Sequence, residues 1–509
     1  MAGNFRNVLY GLASGYFLKG VQFLVSLLMI PFLLSDGMLG IAGFGQVATL
    51  LALYALLLIV TDGVRVSQTR TIARSIDTEA ENGKIVGSCI QIIAIISLPI
   101  SLILFSFPGV VSELAGLPSN PQMTLAVTIT GIIYFVENVF SIVVSGLHAI
   151  RKTYLVNAVI CGEVITRNAT IFLIFIFFEA SVIIYFEIFL IVMLLKFVVS
   201  LILSAIHRPS LFKGLTQARP AYGLPTLIYS FPILANSLTP ALLYRGSVVI
   251  VNKFLGSEAA AFFSILVVTI RNYVTQLTYG SLHPMMVPLS ARINPGALSE
   301  KDSKFVSESF RCYTIGVFGL CFAISACARD ILSLWLGADY AFLSLAFQGF
   351  MFAAALDLSV SPIRSFLIAH GHASRLFRLT LPVGLICFVG MLVSVALGAP
   401  WEMAIVSIMI FTLISYGIVV DWVFAAEFPG LPLSRSGFGS MARGLAASIL
   451  GIVAWGAGMM SVEFSNAFAG TAAGLIVVAA SVAVVGHILI LDVRSAKNYG
   501  STVLAKMLG

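Results

Sequence analysis

The chain has 509 residues, 59% of them hydrophobic and only 10% charged, with a formal net charge of +7 and a mean hydropathy of +1.03. Soluble domains carry about 25% charged residues, and a soluble chain of this length could not cover its surface with so few. A soluble enzyme, a disordered chain and a nucleic-acid binder are excluded, and a polytopic membrane protein is implied.

Stretches long enough to cross a bilayer (~20 residues) number fourteen: 9–34, 39–60, 86–107, 124–147, 154–177, 181–205, 223–250, 258–288, 306–328, 341–369, 376–398, 402–424, 444–462 and 467–491. Amides in hydrocarbon need internal partners, and runs of this length exclude barrel strands, so all are expected to be helices. Span 1 carries Lys19 and Pro31 and ends in FLLSDG, which reads as a retained helix and not a signal peptide. Glu137 lies in span 4, Glu163 and Arg167 in span 5, and Lys196 in span 6. Span 7 holds Arg245 with Pro225, Pro232 and Pro240 on roughly one face, so it should bend. Arg271 lies in span 8, Asp357 and Arg364 in span 10, and Asp421 in span 12. The six cysteines show no C-x-x-C pair and read as small buried hydrophobes, without a metal or cofactor site.

Orientation follows from the basic residues. With the N-terminus in the cytoplasm, 21 of the 29 Lys and Arg residues fall in inner loops and tails, Arg65, Arg70 and Arg74 among them. The outer loops hold Arg329, with Lys253 near the same edge. Both termini are therefore expected inside. The loops are too short to house a separate soluble domain.

Three short patterns recur in order: YGL at Tyr10–Leu12 and Tyr222–Leu224, LG at Leu39–Gly40 and Leu255–Gly256, and S-x-L-x-A at Ser145–Ala149 and Ser365–Ala369. Six spans separate each pair, so the halves share one topology and form a parallel repeat. The expected organisation is a six-helix lobe over 1–222, a second over 223–426, and a third segment over 427–509 with a cytoplasmic loop, helices 13 and 14 and a tail. Two such lobes suggest a transporter with a central cleft opened alternately to either side.

Charges inside spans are costly, about 2.5–3.5 kcal/mol each on insertion scales, and mark function by default. Glu163 and Arg167 are four residues apart and can pair on one face, as internal glue or as a cavity wall. Lys196 is nine residues after Glu187, too far round the helix for a local pair. Lys253 and Arg364 are near enough to span ends to reach the interface. Lys19, Arg245 and Arg271 have no acid within a turn or two on their own helices, so they either meet acids from other helices or line a wet cavity. With Arg167 they make a candidate cationic site for an anionic head group such as a diphosphate. Glu137, Glu163, Asp357 and Asp421 are candidates to couple flux to protons or sodium, simple internal pairing being the alternative. Pro31, Pro232 and Pro240 are candidate gating positions, a static kink being the alternative. No D-x-D follows span 1 and no phosphate-binding G-x-x-x-x-G-K-[ST] occurs, so no catalytic residues are assigned and an enzyme is not expected.

FLGSEAAAFFSI at Phe254–Ile265, LWLGADY at Leu334–Tyr340 and FLIAHGHASRLFR at Phe366–Arg378 are similar to turns of the bacterial polysaccharide flippases. These are the O-antigen and exopolysaccharide exporters of the multidrug/oligosaccharidyl-lipid/polysaccharide superfamily. The resemblance covers nearly the whole chain in topology. It implies an inner-membrane protein moving an undecaprenyl-diphosphate-linked oligosaccharide to the outer leaflet through a cationic cavity. The partners it implies are this polyprenyl-diphosphate-linked glycan, membrane lipids, and polysaccharide polymerase and chain-length machinery. Peptidoglycan-precursor flippases of the same superfamily carry cavity cations in spans 1 and 8, positions comparable to Lys19 and Arg271. They carry another in span 2, where this reading finds none. The alternatives are a multidrug/cation antiporter of the superfamily, which would favour an acid where Lys19 stands, and a membrane-embedded polysaccharide polymerase or transferase.

Overall fold

The structure, a computed structural model, describes residues 2–74, 79–149, 152–207, 236–275 and 300–427, with a few single positions between 209 and 234. These residues are helical with short turns between the helices. Ten of the helices are long and apolar enough to span a membrane. They coincide with expected spans 1–6 and 9–12. Spans 7 and 8 are described in part, and spans 13 and 14 lie outside the described residues.

The helices in chain order are α1 (Ala2–Leu34), α2 (Gly40–Arg74), α3 (Glu79–Ser106), the short α4 (Pro108–Leu114), α5 (Pro121–Ala149), α6 (Thr153–Phe177) and α7 (Val182–His207). There follow α8 (Ser247–Leu255), α9 (Ser257–Phe263), α10 (Glu300–Ala326), α11 (Ala328–Trp335), α12 (Ser344–Ala369), α13 (Ala373–Ala396) and α14 (Glu402–Gly417). One boundary corrects the sequence reading. The second helix continues to Arg74, so Arg65 stands on α2 and not in a loop.

Most of these helices are apolar on every face, as helices between lipid and protein must be. On α6, Cys161, Val164, Ile171 and Phe175 are buried while Ile165, Phe172, Leu173 and Ile176 are exposed. The exposed stripe suits acyl chains and the buried one faces protein.

The chain divides into two compact units. The first comprises 1–269 and 384–404, the second 270–383 and 405–509. In the first unit α5 is the central helix, packed against α2, α3, α6 and α7. Two buried polar side chains link α2 to α5: Thr61 of α2 donates to Asn138 of α5, and Asn138 donates to the Tyr134 carbonyl. At the end carrying the α1–α2 turn, α2 lies so close to α9 that a Cβ on Gly45 would overlap the Ser257 carbonyl. Beside it the Asn252 amide donates to the Ala115 carbonyl at 2.7 Å. The second unit is built around α12, packed on α10 and on the turn Ile418–Phe424. Phe310, Val360, Ile363, Phe366, Val419 and Phe424 fill its core.

The repeat read from short sequence patterns recurs in the backbone. Gly40 and Gly256, the glycines of the two LG patterns, both take positive φ, 65° and 89°, at the start of a helix. The Lys152 amide donates to the Leu147 carbonyl and the His372 amide to the Leu367 carbonyl, both at 2.9 Å. Helices α4 and α11, α6 and α13, and α7 and α14 all begin 220 residues apart.

Among the described residues three segments are π-helical: Leu242–Gly246, Ser264–Ile270 and Ile418–Phe424. The first follows Pro240, whose missing amide donor loosens the preceding turn. Segments of this kind concentrate at functional positions. Arg245 lies in the first, Arg271 directly follows the second, and Asp421 lies in the third.

Candidate functional site

In the first unit, four charged side chains from three helices form a chain of ion pairs. Lys196 Nζ of α7 lies 2.8 Å from Glu137 Oε2 of α5 and 4.0 Å from Glu163 Oε2 of α6. Arg167 completes the chain on Glu163 Oε1 at 2.7 Å. The i, i+4 pairing expected for Glu163 and Arg167 is therefore made. Aromatic faces cover both cations. Lys196 Nζ sits 4.1 Å from the centre of the Phe140 ring, and the Arg167 guanidinium 4.6 Å from that of Phe189. Such placement favours a cation that has lost its water. Lys196 and Glu163 are almost fully enclosed, their side chains 5% and 7% exposed.

The second unit holds a different arrangement. Asp357 Oδ2 receives Arg271 at 2.8 Å, and Asp357 Oδ1 faces Arg364 at 3.5 Å. Arg364 also lies 3.4 Å from the Ser415 hydroxyl. This corrects the expectation that Arg364 reaches the interface: its guanidinium turns inward to an acid. The aspartate is buried, 5% exposed, while Arg271 is 28% and Arg364 20% exposed. Two planar guanidinium groups thus converge on one carboxylate, with the cations on the accessible side. Paired guanidinium forks are the arrangement that best matches the oxygens of a phosphate or diphosphate.

Lys19 is exposed on α1, and its ammonium donates to Gln22 Oε1 one turn away at 3.2 Å. At mid-span, an ammonium there is far less costly facing water than lipid. Arg245 is half-buried in its π-helical turn. Pro31 lies within α1 and Pro240 precedes the Leu242–Gly246 turn. Pro232 and the side chain of Asp421 lie outside the described residues. Cys89, Cys161, Cys321, Cys327 and Cys387 are buried and free. Among the described residues, no group of three or more His, Cys, Asp or Glu gathers as a metal site would require.

Two features escape the sequence reading. Arg65 lies on α2 within electrostatic reach of Glu137; ending the span at residue 60 hid it. Glu137 and Asp357 stand 220 residues apart, the spacing of the repeated S-x-L-x-A pattern. They are therefore repeat mates, and each gathers the cations of its unit.

No family model and no curated protein sequence matches the chain. Solved structures do. The lipid II flippase MurJ in an inward closed conformation aligns with a TM-score of 0.65 and 14% identity, over 96% of this chain and 99% of its own. The eukaryotic MATE transporter AtDTX14 aligns at 0.60 with 12% identity, over 87% of this chain and 99% of its own. An inward-facing multidrug resistance MATE family transporter of the MOP superfamily aligns at 0.57 with 10% identity, over 86% and 95%. The chain is a multi-pass, all-helical membrane protein with the fold of MOP-superfamily transporters. Within that fold, its structural neighbours include both a lipid flippase and multidrug transporters.

Proposed function

We propose that the protein is a flippase that moves a polyprenyl-diphosphate-linked oligosaccharide from the cytoplasmic to the outer leaflet of a bacterial inner membrane, by alternating access and without enzymatic chemistry. The observation that carries this reading is the convergence of Arg271 and Arg364 on the buried Asp357. The aspartate holds two like charges on its two oxygens, and an incoming diphosphate takes over its role on the accessible side. Lys19, exposed on α1, and Arg245, half-buried in its π-helical turn, carry positive charge at mid-span, while Arg167 is held by Glu163. The fold shared with a lipid II flippase over nearly the whole chain supports a lipid-linked substrate. The excess of basic residues on one face of the topology supports cytoplasmic termini.

A multidrug antiporter would use free acids to attract cationic drugs. Here Glu137, Glu163 and Asp357 each hold a cation of the protein itself.

The test is reconstitution of the full chain in vesicles with a fluorescent polyprenyl-diphosphate disaccharide. Movement of the label to the opposite leaflet, abolished by Arg271→Ala and Lys19→Ala, supports the reading. Movement that survives both substitutions, or export of a cationic dye in its place, overturns it.

A further inference from the structure

We infer that Glu137 is a proton-binding site and that its protonation transfers Lys196 from Glu137 to Glu163, so that a proton, and not a metal cation, is the ion this cluster takes. The inference bears on the regulation of the transporter proposed above and rests on that reading only for its use.

The geometry distinguishes the two carboxylates. Glu163 has a cation of its own, Arg167 at 2.7 Å. Glu137 has Lys196 at 2.8 Å, with Arg65 of α2 acting from further away. A proton on Glu137 therefore releases the ammonium without orphaning it. Glu163 Oε2 is already 4.0 Å away, and the Phe140 ring faces the ammonium at 4.1 Å. The lysine has two acceptable positions about one ångström of travel apart, on a flexible stem with three rotatable donors.

A metal ion has no such place. A hard cation needs several oxygen ligands around it, and here an ammonium stands between the two carboxylates and a guanidinium holds the outer oxygen of Glu163. Among the described residues, the charged groups facing Glu137 are Lys196 from α7, Glu163 and, from further off, Arg167 from α6, and Arg65 from α2. Tyr54 of α2 and Tyr185 of α7 face Arg167 and complete the surroundings.

The step is balanced: one proton adds to the Glu137 carboxylate and the lysine stays an ammonium. Its consequence is mechanical. The ion-pair link moves from α5–α7 to α6–α7, which biases two arrangements of the same helices.

Infrared difference spectroscopy of the full chain in lipid, on lowering the pH, tests this without any lipid-linked sugar. A protonated-carboxyl carbonyl band should grow in, vanish in Glu137→Gln, persist in Glu163→Gln, and be unchanged when choline replaces sodium. Should Glu137→Gln fail to fold, Glu137→Asp reads the same assignment as a shift in band frequency. No titrating carboxyl band in the wild type, a band surviving in Glu137→Gln, a band unmoved in Glu137→Asp, or a band suppressed by sodium at constant pH overturns the inference. Because no substrate enters, this failure would leave the flippase reading standing, and a failed transport assay would leave the proton site.

Discussion

In the first unit four charges pair one to one, Lys196 with Glu137 and Arg167 with Glu163; in the second, Arg271 and Arg364 share Asp357. Both clusters are organised around acids at matching points of the repeat, yet these two acids differ in what they meet. Glu137 meets a lysine that is enclosed, whereas Asp357 is itself buried and meets two arginines that are partly accessible. Glu137 and Asp357 are repeat mates, and the groups around them differ: Glu163, Arg167 and Lys196 in the first unit, two arginines in the second. The three described π-helical segments all lie in the second sequence repeat, and two of them bear or adjoin Arg245 and Arg271.

The comparison can be broken or sharpened by substitution. The largest effect is expected at the enclosed lysine. Lys196→Met strands Glu137 without its nearest cation and should destabilise the protein by about 3–5 kcal/mol, the usual result of breaking a buried pair. Thermal unfolding in lipid–detergent micelles measures this, and the double variant Glu137→Gln with Lys196→Met should recover most of it. An unaltered melting temperature in Lys196→Met would remove the cluster's structural role.

Next comes Arg271→Ala, expected to reduce lipid-linked diphosphate transport by roughly 2–5 kcal/mol of transition energy, at least 30-fold. Its stability should change less than that of Lys196→Met, because Asp357 keeps Arg364. Equal stability losses in the two variants would erase the distinction between the clusters.

A smaller effect tests the close contact of α2 and α9. Gly45→Ala drives a methyl into the Ser257 carbonyl and should cost about 1–3 kcal/mol. Thermal unfolding reads the loss, and labelling of an Asn252→Cys variant should become faster as that end loosens. The smallest is at the repeated turn: Gly40→Ala, at φ 65°, should cost about 1 kcal/mol in thermal unfolding. A loss well above that would mean that side-chain packing, and not backbone conformation, fixes the turn.

Much of the fold was legible in the sequence, because span length and hydropathy are direct consequences of bilayer thickness. The Glu163–Arg167 pair was legible for a similar reason: helical pitch alone puts i and i+4 together. The Lys196–Glu137 and Arg271–Asp357 pairs were not, since each joins different helices and no local spacing encodes them. One signal was present all the same. The interval between Ser145 and Ser365 also separates Glu137 from Asp357, which marks the two acids as mates before any coordinates. Arg65 was hidden by equating the end of the apolar run with the end of the helix; α2 extends beyond it to Arg74. The π-helical segments leave no hydropathy signature, and Pro240 alone hints at one of them.

The central claim is that Arg271 and Arg364 together hold a diphosphate. Native mass spectrometry of the purified full chain with undecaprenyl diphosphate, against undecaprenol, which lacks the phosphates, tests it most directly. The account predicts retained lipid diphosphate in the wild type and in Glu137→Gln, and loss in Arg271→Ala and in Arg364→Ala when these remain folded. Undiminished binding in both arginine variants would contradict it.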